Sequence, residues 1–161
     1  MDTKPELGNS MQFAPQGLGG VYIIQSQRMI DHRGSFLKTF HKHTFSEHGI
    51  AFEIREEFFS VSSKHVLRGM HFQQPPADHQ KLVYCVQGSI HDVLLDLRKN
   101  SPTFGMAIGF ELYSTTCQCV FIPKGIAHGF LALEDNTCVV YKTDHEYSPH
   151  NDKGIHWDSF H

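Results

Sequence analysis

The amino-acid sequence predicts an all-β fold, and three observations support this prediction. Helical periodicity is nearly absent, because the one short helix candidate covers residues 44–48. Short apolar or alternating runs recur at near-even spacing along most of the chain. Gly, Pro, Asn and Asp separate these runs, and these residue types are typical of turns. Many short strands at this spacing form a sandwich or a barrel, and we expect a jelly roll.

The predicted strands follow one another closely along the chain. In order, they cover residues 20–24, 35–40, 54–62, 65–73, 81–86, 89–96, 106–113, 117–122, 129–133 and 137–143. Turn residues between them predict a tight reversal at 86–89, a wider loop at 98–102 and a hairpin tip at 134–136. No internal repeat or linker interrupts the pattern. We therefore expect a single domain over residues 20–161, preceded by a partly disordered N-terminal arm over residues 1–19.

The composition excludes several classes of protein. The chain has 161 residues and a formal net charge of −3, so it lacks the basic surface that nucleic-acid binding requires. No apolar run approaches the roughly 18 residues of a membrane span, and the polar N-terminus does not resemble a leader peptide. We therefore expect a cytoplasmic protein with no membrane or nucleic-acid partner. Its four cysteines lack paired Cys-x-x-Cys spacing, which favours structural free thiols over disulfides or zinc.

Residues 66–73 and the lysine that follows them are the most informative part of the chain. His71 lies on one predicted strand, and Lys81, ten residues later, begins the next. An imidazole beside a fixed positive charge can remove a proton from a carbon next to a carbonyl and stabilise the resulting enolate. This is the chemistry of a racemase, an epimerase or an isomerase. The structural alternative is a half-buried strand histidine and a solvated edge lysine.

Asp92 is an unusual residue for its position, because it lies within an otherwise apolar strand. A buried carboxylate is costly unless it is paired. We therefore expect Asp92 to accept a hydrogen bond from an inward-facing histidine, fixing its tautomer and raising its basicity. Asp96, in contrast, is expected to form a structural ion pair with Arg98.

Strand alternation places Arg68 and His71 on opposite faces of one strand. Both side chains can reach one pocket only if the strand kinks, and Gly69 is the residue that would allow a kink. His128 lies at the entrance of a later strand, and Tyr141 offers a phenol on a buried strand. A buried tyrosine is either a core residue with a satisfied hydroxyl or an acid that returns a proton opposite the base.

Together, these segments resemble the nucleotide-sugar 3,5-epimerase family typified by dTDP-4-dehydrorhamnose 3,5-epimerase, a cupin-type jelly roll, or double-stranded β-helix. The matching segments run in family order from about residue 20 to residue 158. They are residues 31–36, 60–64, 67–73, 81–83, 92–98, 101–105, 122–130, 141–142, 147–149 and 154–158.

The resemblance implies a nucleoside-diphosphate 4-keto-6-deoxyhexose as substrate, in deoxysugar biosynthesis, with no cofactor and no metal. It implies that His71 is the catalytic base, Tyr141 the acid and Lys81 the positive group near the C4 oxygen. Arg33 and Arg68 match arginines that hold the diphosphate. The other substrate contacts implied by the resemblance are Phe36 at the nucleotide end, Ser60, Gln73, His128 and Tyr147. The family is usually a homodimer that exchanges N-terminal strands, so we expect residues 13–24 to lie at an interface.

Three departures from the family pattern affect these expectations. Family members continue into a C-terminal stretch that supplies a carboxylate to the catalytic histidine, whereas this sequence ends at residue 161, so Asp92 is our candidate for that role. Glu56 and Phe58 occupy the places of a substrate-contacting Gln-x-Asn pair, and Lys38 stands where an acidic residue is common. The identity of the nucleotide and the number of centres inverted therefore remain open.

Two other functions compete with the epimerase. A metal-dependent cupin is suggested by the Pro-x-Gly-x-x-His pattern at residues 123–128, but its His-x-His pair is missing, since Phe72 and Gln73 follow His71. The second alternative is a binding module that holds a sugar nucleotide without turning it over. Hydrogen exchange at C3 or C5 in deuterated water separates an epimerase from such a module.

Overall fold

The computed structural model describes residues 10–159, and within them it contains thirteen strands and one short helix. The elements are β1 (Met11–Pro15), β2 (Tyr22–Ser26), β3 (Arg28–Asp31), β4 (Gly34–Leu37), α1 (Lys42–Glu47), β5 (Glu56–Ser62), β6 (Leu67–Gln73), β7 (Lys81–Gln87), β8 (Ser89–Asp96), β9 (Ala107–Tyr113), β10 (Gln118–Ile122), β11 (Ile126–Ala132), β12 (Thr137–Thr143) and β13 (Asp152–Gly154). None of the described helices is long and apolar enough to cross a membrane.

Two antiparallel sheets form the body of the molecule, which confirms the predicted all-β jelly roll. The larger sheet has the order β1-β2-β10-β7-β12-β5, and the smaller has the order β13-β6-β11-β8-β9. Strands β3 and β4 form a separate hairpin. Because neighbours such as β11 and β6 are distant in sequence, residues far apart in the chain meet on adjacent strands.

The core lies between the two sheets and follows the predicted alternation. Val83, Val120 and Val139 of the larger sheet pack against Ile90 and Leu94 of the smaller sheet, and all five are buried. Burying each such side chain contributes roughly 1.5–3 kcal/mol to folding. The outer face of the larger sheet is covered by α1 and the segment after it, through the buried residues Phe45, Ile50 and Phe52.

Three strands were absent from the sequence prediction, namely β1, β3 and β13. They have three to five residues each and lack a regular apolar alternation. The described part of the predicted N-terminal arm contains β1, which pairs with β2 of the same chain from Met11 opposite Ser26 to Pro15 opposite Tyr22. Residues 1–9 of that arm lie outside the described residues, so disorder there stays a prediction, as does exchange of this segment between subunits.

Candidate active site

A cavity of about 620 Å³ opens between the two sheets. Its walls come from β5, β7 and β12 of the larger sheet and from β6, β11 and β13 of the smaller one. The structure brings most of the predicted site residues together here: His71, Lys81, Tyr141, Arg68, Gln73, Ser60, His128 and Tyr147 all line the cavity. The two proposed proton-transfer groups therefore share one compartment, with His71 on one sheet and Tyr141 on the other.

A bulge at Gly69 explains why Arg68 and His71 reach the same cavity. Strand β11 pairs His128 with His71 but Phe130 with Arg68, so β6 carries one extra residue at this point. Gly69 has φ +131, and a Cβ there would lie 2.4 Å from the Cα of Gly129. The predicted kink is thus confirmed, and it requires glycine because no side chain fits between the two strands.

The environment of His71 favours its neutral form. Burial lowers its pKa below the ordinary value, the charges of Lys81, His128 and Arg68 lower it further, and Asp152 opposes them. A histidine whose pKa lies below its usual value is unprotonated at neutral pH. It can then accept a proton, as a general base must.

Lys81 has an unusually low pKa for a lysine. Burial lowers its pKa to about 8, although the carboxylates of Asp152 and Asp92 favour the charged form. With that pKa, about nine in ten molecules carry the ammonium at pH 7. Lys81 therefore presents a positive charge in a partly desolvated cavity, where it can stabilise a developing oxyanion.

Tyr141 keeps its proton well above neutral pH. Burial raises its pKa to about 12, even though its hydroxyl shares a hydrogen bond with Ser60 Oγ at 3.0 Å. The ring of Phe58 stacks on it, with centroids 4.8 Å apart and planes at 14°. A phenol held in this way is a donor, so it can supply a proton but is a poor base.

Asp92 pairs with His128 and not with His71, which corrects the expected role of this carboxylate. Its Oδ1 accepts a hydrogen bond of 2.6 Å from His128 Nε2, and both residues are buried. The general prediction of a buried histidine partner was right, but the partner is a different histidine. Asp92 acts on the cavity through its charge, since it raises the pKa of both Lys81 and Tyr141.

Gln73 lines the cavity, but its amide is already used by the protein. Its Nε2 donates to Ala77 O at 2.8 Å and to His79 Nδ1 at 2.9 Å, while its Oε1 accepts from Ser148 N at 2.7 Å. The amide therefore ties the loop before β7 to the loop before β13. The expected substrate contact through this side chain is replaced by a structural one.

Arg33 and Phe36 lie on the β3–β4 hairpin and are not among the residues that line the cavity. Arg33 is 79% exposed and forms an ion pair with Asp31 of the same hairpin, and Phe36 is 55% exposed. Arg68 does line the cavity, and its Nε donates to Ser62 Oγ at 3.0 Å. Of the two predicted diphosphate ligands, a single chain brings only Arg68 to the site.

Several residues that line the cavity have no predicted role, among them Glu56, Phe58, His79 and Asp152. Glu56 accepts a 2.6 Å hydrogen bond from the backbone N–H of Tyr147, and burial lowers the pKa of His79 to about 4. Glu56 and Phe58 were visible in the sequence as departures from the family pattern. Asp152 had no such signal, because only the pairing of β13 with β6 brings it to the cavity. Across residues 10–159, no group of three or more His, Cys, Asp or Glu is arranged to hold a metal ion.

The sequence of this chain is similar to sequences of known proteins. The model of the family described as dTDP-4-dehydrorhamnose 3,5-epimerase matches residues 15–161. The enzyme of that name from Methanothermobacter thermautotrophicus is 42% identical over 147 residues, covering 91% of this chain and 79% of the relative. A dTDP-4-dehydrorhamnose 3-epimerase from Streptomyces niveus is 36% identical over 147 residues, covering 91% and 71% of the two chains.

Among solved structures, the dTDP-4-dehydrorhamnose 3,5-epimerase of Bacillus anthracis, with TDP and pyrophosphate bound, superposes with a TM-score of 0.89. It is 33% identical and covers 92% of this chain and 86% of its own. Fold and sequence match over nearly the whole chain, and so this protein belongs to the dTDP-4-dehydrorhamnose 3,5-epimerase family.

Proposed function

We propose that this protein inverts C3, C5 or both in a dTDP-4-keto-6-deoxyhexose, without a cofactor, as a step of deoxysugar biosynthesis. The observation that carries the proposal is the placement of His71 and Tyr141 on opposite walls of one cavity. A base and an acid on opposite sides of a sugar ring are what inversion of a carbon centre requires. Lys81 in the same cavity supplies the positive charge for the intermediate.

The reaction follows from the acidity that the 4-keto group confers on its neighbours. Neutral His71 takes the proton from C3 or C5, and the electron pair of the broken C–H bond moves to the C4 oxygen as an enolate. The Lys81 ammonium stabilises that oxygen. The enolate carbon then takes a proton from the Tyr141 hydroxyl on the opposite face of the sugar ring. Proton exchange with solvent returns His71 and Tyr141 to their starting protonation states.

Hydrogen exchange in deuterated water tests this function. We expect the protein to introduce deuterium at C3 or C5 of a dTDP-4-keto-6-deoxyhexose, with the position read by NMR. His71→Ala should abolish exchange and preserve binding of dTDP. His43→Ala, which changes an exposed histidine of α1 paired with Glu47, is the matched control and should exchange normally. A wild-type protein that binds the nucleotide without exchange would be a binding module, and exchange that survives in His71→Ala would show that His71 is not the base.

The same spectra answer which centres react. The relatives include enzymes named as 3,5-epimerases and one named as a 3-epimerase, so both outcomes have precedent in the family. Label at C3 alone, at C5 alone or at both distinguishes the three possibilities. Parallel incubations with CDP- and GDP-4-keto-6-deoxy sugars test the nucleotide, and we expect the dTDP sugar to react fastest.

We also propose that the protein acts as a homodimer in which the β3–β4 hairpin of one subunit reaches the cavity of the other. Strand β5 ends the larger sheet, and within residues 10–159 its outer edge has no strand partner. Phe59 and Val61 on β5 are 68% and 52% exposed, on the face opposite to the cavity-lining Phe58 and Ser60. An apolar sheet edge of this kind favours pairing with another chain. A cytoplasmic location stays a prediction.

Mixing two inactive variants tests the shared site. In a mixed dimer of Arg33→Ala with His71→Ala, one cavity keeps its own His71 and receives the intact hairpin of the other subunit. We therefore expect the mixture to regain exchange activity that neither variant has alone. A mixture as inactive as its components, or a monomer by sedimentation, would contradict the arrangement.

A further inference from the structure

We propose that Asp152 is the positioning carboxylate of His71, and that it also holds the charge of Lys81. The inference rests on the proposed function and adds a residue to it. It starts from the short strand β13, which no sequence pattern predicted and which brings this carboxylate into the cavity.

The pairing of β13 with β6 places Asp152 beside the base. Asp152 lies directly opposite Gln73, and Gly154 lies directly opposite His71. Residues opposite one another in an antiparallel pair point to the same face, and so do residues two apart on one strand. Asp152, Gln73 and His71 therefore share the cavity face, with Asp152 as the diagonal neighbour of the imidazole.

Gly154 leaves room for this contact. A Cβ at Gly154 would lie 3.9 Å from Cδ2 of the His71 ring, so a side chain at this position would stand against the edge of the ring. With glycine there, that edge is open to the diagonal carboxylate. The distance between diagonal neighbours, roughly 7–8 Å between Cα atoms, is within reach of an aspartate and a histidine.

The charges around His71 also select Asp152. The charged or titratable groups that act on His71 are Asp152 on β13, Lys81 on β7, His128 on β11 and Arg68 on β6. Asp152 is the one among them that favours the imidazolium, and it is first among the carboxylates that favour the ammonium of Lys81. Asp92 is bonded to His128, whereas the bond that Asp152 accepts from Tyr147 Oη is a long 3.4 Å.

In the proposed reaction, one proton transfer turns His71 into an imidazolium and forms the enolate whose oxygen lies near Lys81. A carboxylate next to both cations stabilises the first and fixes the orientation of its ring, as the acid of a catalytic triad does for its histidine. The Asp152 carboxylate does not itself exchange a proton with the sugar. Asp152 is therefore a positioning residue.

The test compares Asp152→Asn and Asp152→Glu with wild type across pH 5–9. Without the negative charge the pKa of His71 falls, which moves the acid limb of the rate profile to lower pH. The pKa of Lys81 falls below about 8 as well, which moves the alkaline limb in the same direction. We expect Asp152→Asn to shift the whole bell-shaped pH–rate profile to lower pH. It should reduce kcat about 10- to 100-fold and change KM less than threefold. This loss is part of the roughly 10²–10⁴-fold that acid–base catalysis supplies. Asp152→Glu should recover part of the rate.

Asp158→Asn is the matched control, because Asp158 is an exposed carboxylate in the same C-terminal segment, bonded to His156. The Asp158→Asn variant should have the same bell-shaped pH–rate profile as wild type. A bell that Asp152→Asn does not move, or a loss confined to KM, would overturn the proposal.

Titration of the His71 ring by NMR, with no substrate present, separates this proposal from the proposed function. We expect a lower His71 pKa in Asp152→Asn than in wild type, and an unchanged value would overturn the pairing. If wild type fails to exchange deuterium but the titration shift appears, the function is wrong and the carboxylate–histidine pair stands.

Discussion

Replacing Asp92 by alanine should destabilise the fold more than replacing either carboxylate that lines the cavity, Glu56 or Asp152. Asp92 is fully buried, and its side chain accepts a hydrogen bond of 2.6 Å from the buried His128 on the neighbouring strand β11. Removing one partner leaves the other without a hydrogen bond in an apolar interior, at a cost of about 3–5 kcal/mol. For a chain of this size that corresponds to a fall in Tm of roughly 6–20 °C.

The assay is equilibrium unfolding in urea followed by circular dichroism, with a double-mutant cycle. We expect Asp92→Ala and His128→Ala each to lose several kcal/mol, and the double variant to lose clearly less than their sum. Asp78→Ala is the control, because Asp78 meets Lys124 at 3.7 Å near the surface and should cost less than about 1 kcal/mol. Additive losses, or a loss below about 1 kcal/mol for Asp92→Ala, would refute the reasoning.

Three further outcomes are expected. Tyr141→Phe should slow inversion more than deuterium exchange, since His71 can still remove and return a proton on one face; NMR measures both, and equal losses would contradict separate roles. Activity should fall as pH rises through about 8, where Lys81 loses its proton, and a flat rate to pH 9.5 would argue against its charge. Gly69→Ala should lower the free energy of unfolding by about 2 kcal/mol or more, because the new Cβ would lie 2.4 Å from backbone. Gly105 is also at positive φ but has open space around it, so Gly105→Ala should lower it by about 1 kcal/mol in the same urea assay.

The interior pattern of this fold could be predicted from sequence because alternation is a local property. Strand β8 shows it, since Asp92, Leu94 and Asp96 are all buried on the face that the two-residue period assigns to them. The ion pair of Asp96 with Arg98, at 2.7 Å, was also predictable, because the two residues are neighbours along the chain. In both cases the interaction is decided within a few residues.

The partner of Asp92 was not predictable, because it depends on register between distant segments. Pairing of β11 with β8 sets Phe130 opposite Asp92 and His128 opposite Leu94, which makes His128 the diagonal neighbour of the carboxylate. A shift of two residues would bring another side chain to that position. The sequence therefore predicts that Asp92 needs a buried partner, whereas the strand topology determines that this partner is His128.

Gln73 illustrates the same limit within the site itself. His71 and Gln73 lie two residues apart on one strand and face one cavity, so a motif that contains both suggests the same use for both. The imidazole is exposed to the cavity, but the amide is buried and bonded to two loops. One of those loops carries Tyr147, whose N–H also meets Glu56, and the chain then turns back into β13 with Asp152. The amide therefore helps to hold the strand that brings a carboxylate to the base, so its influence on catalysis is exerted through the backbone and needs no contact with substrate.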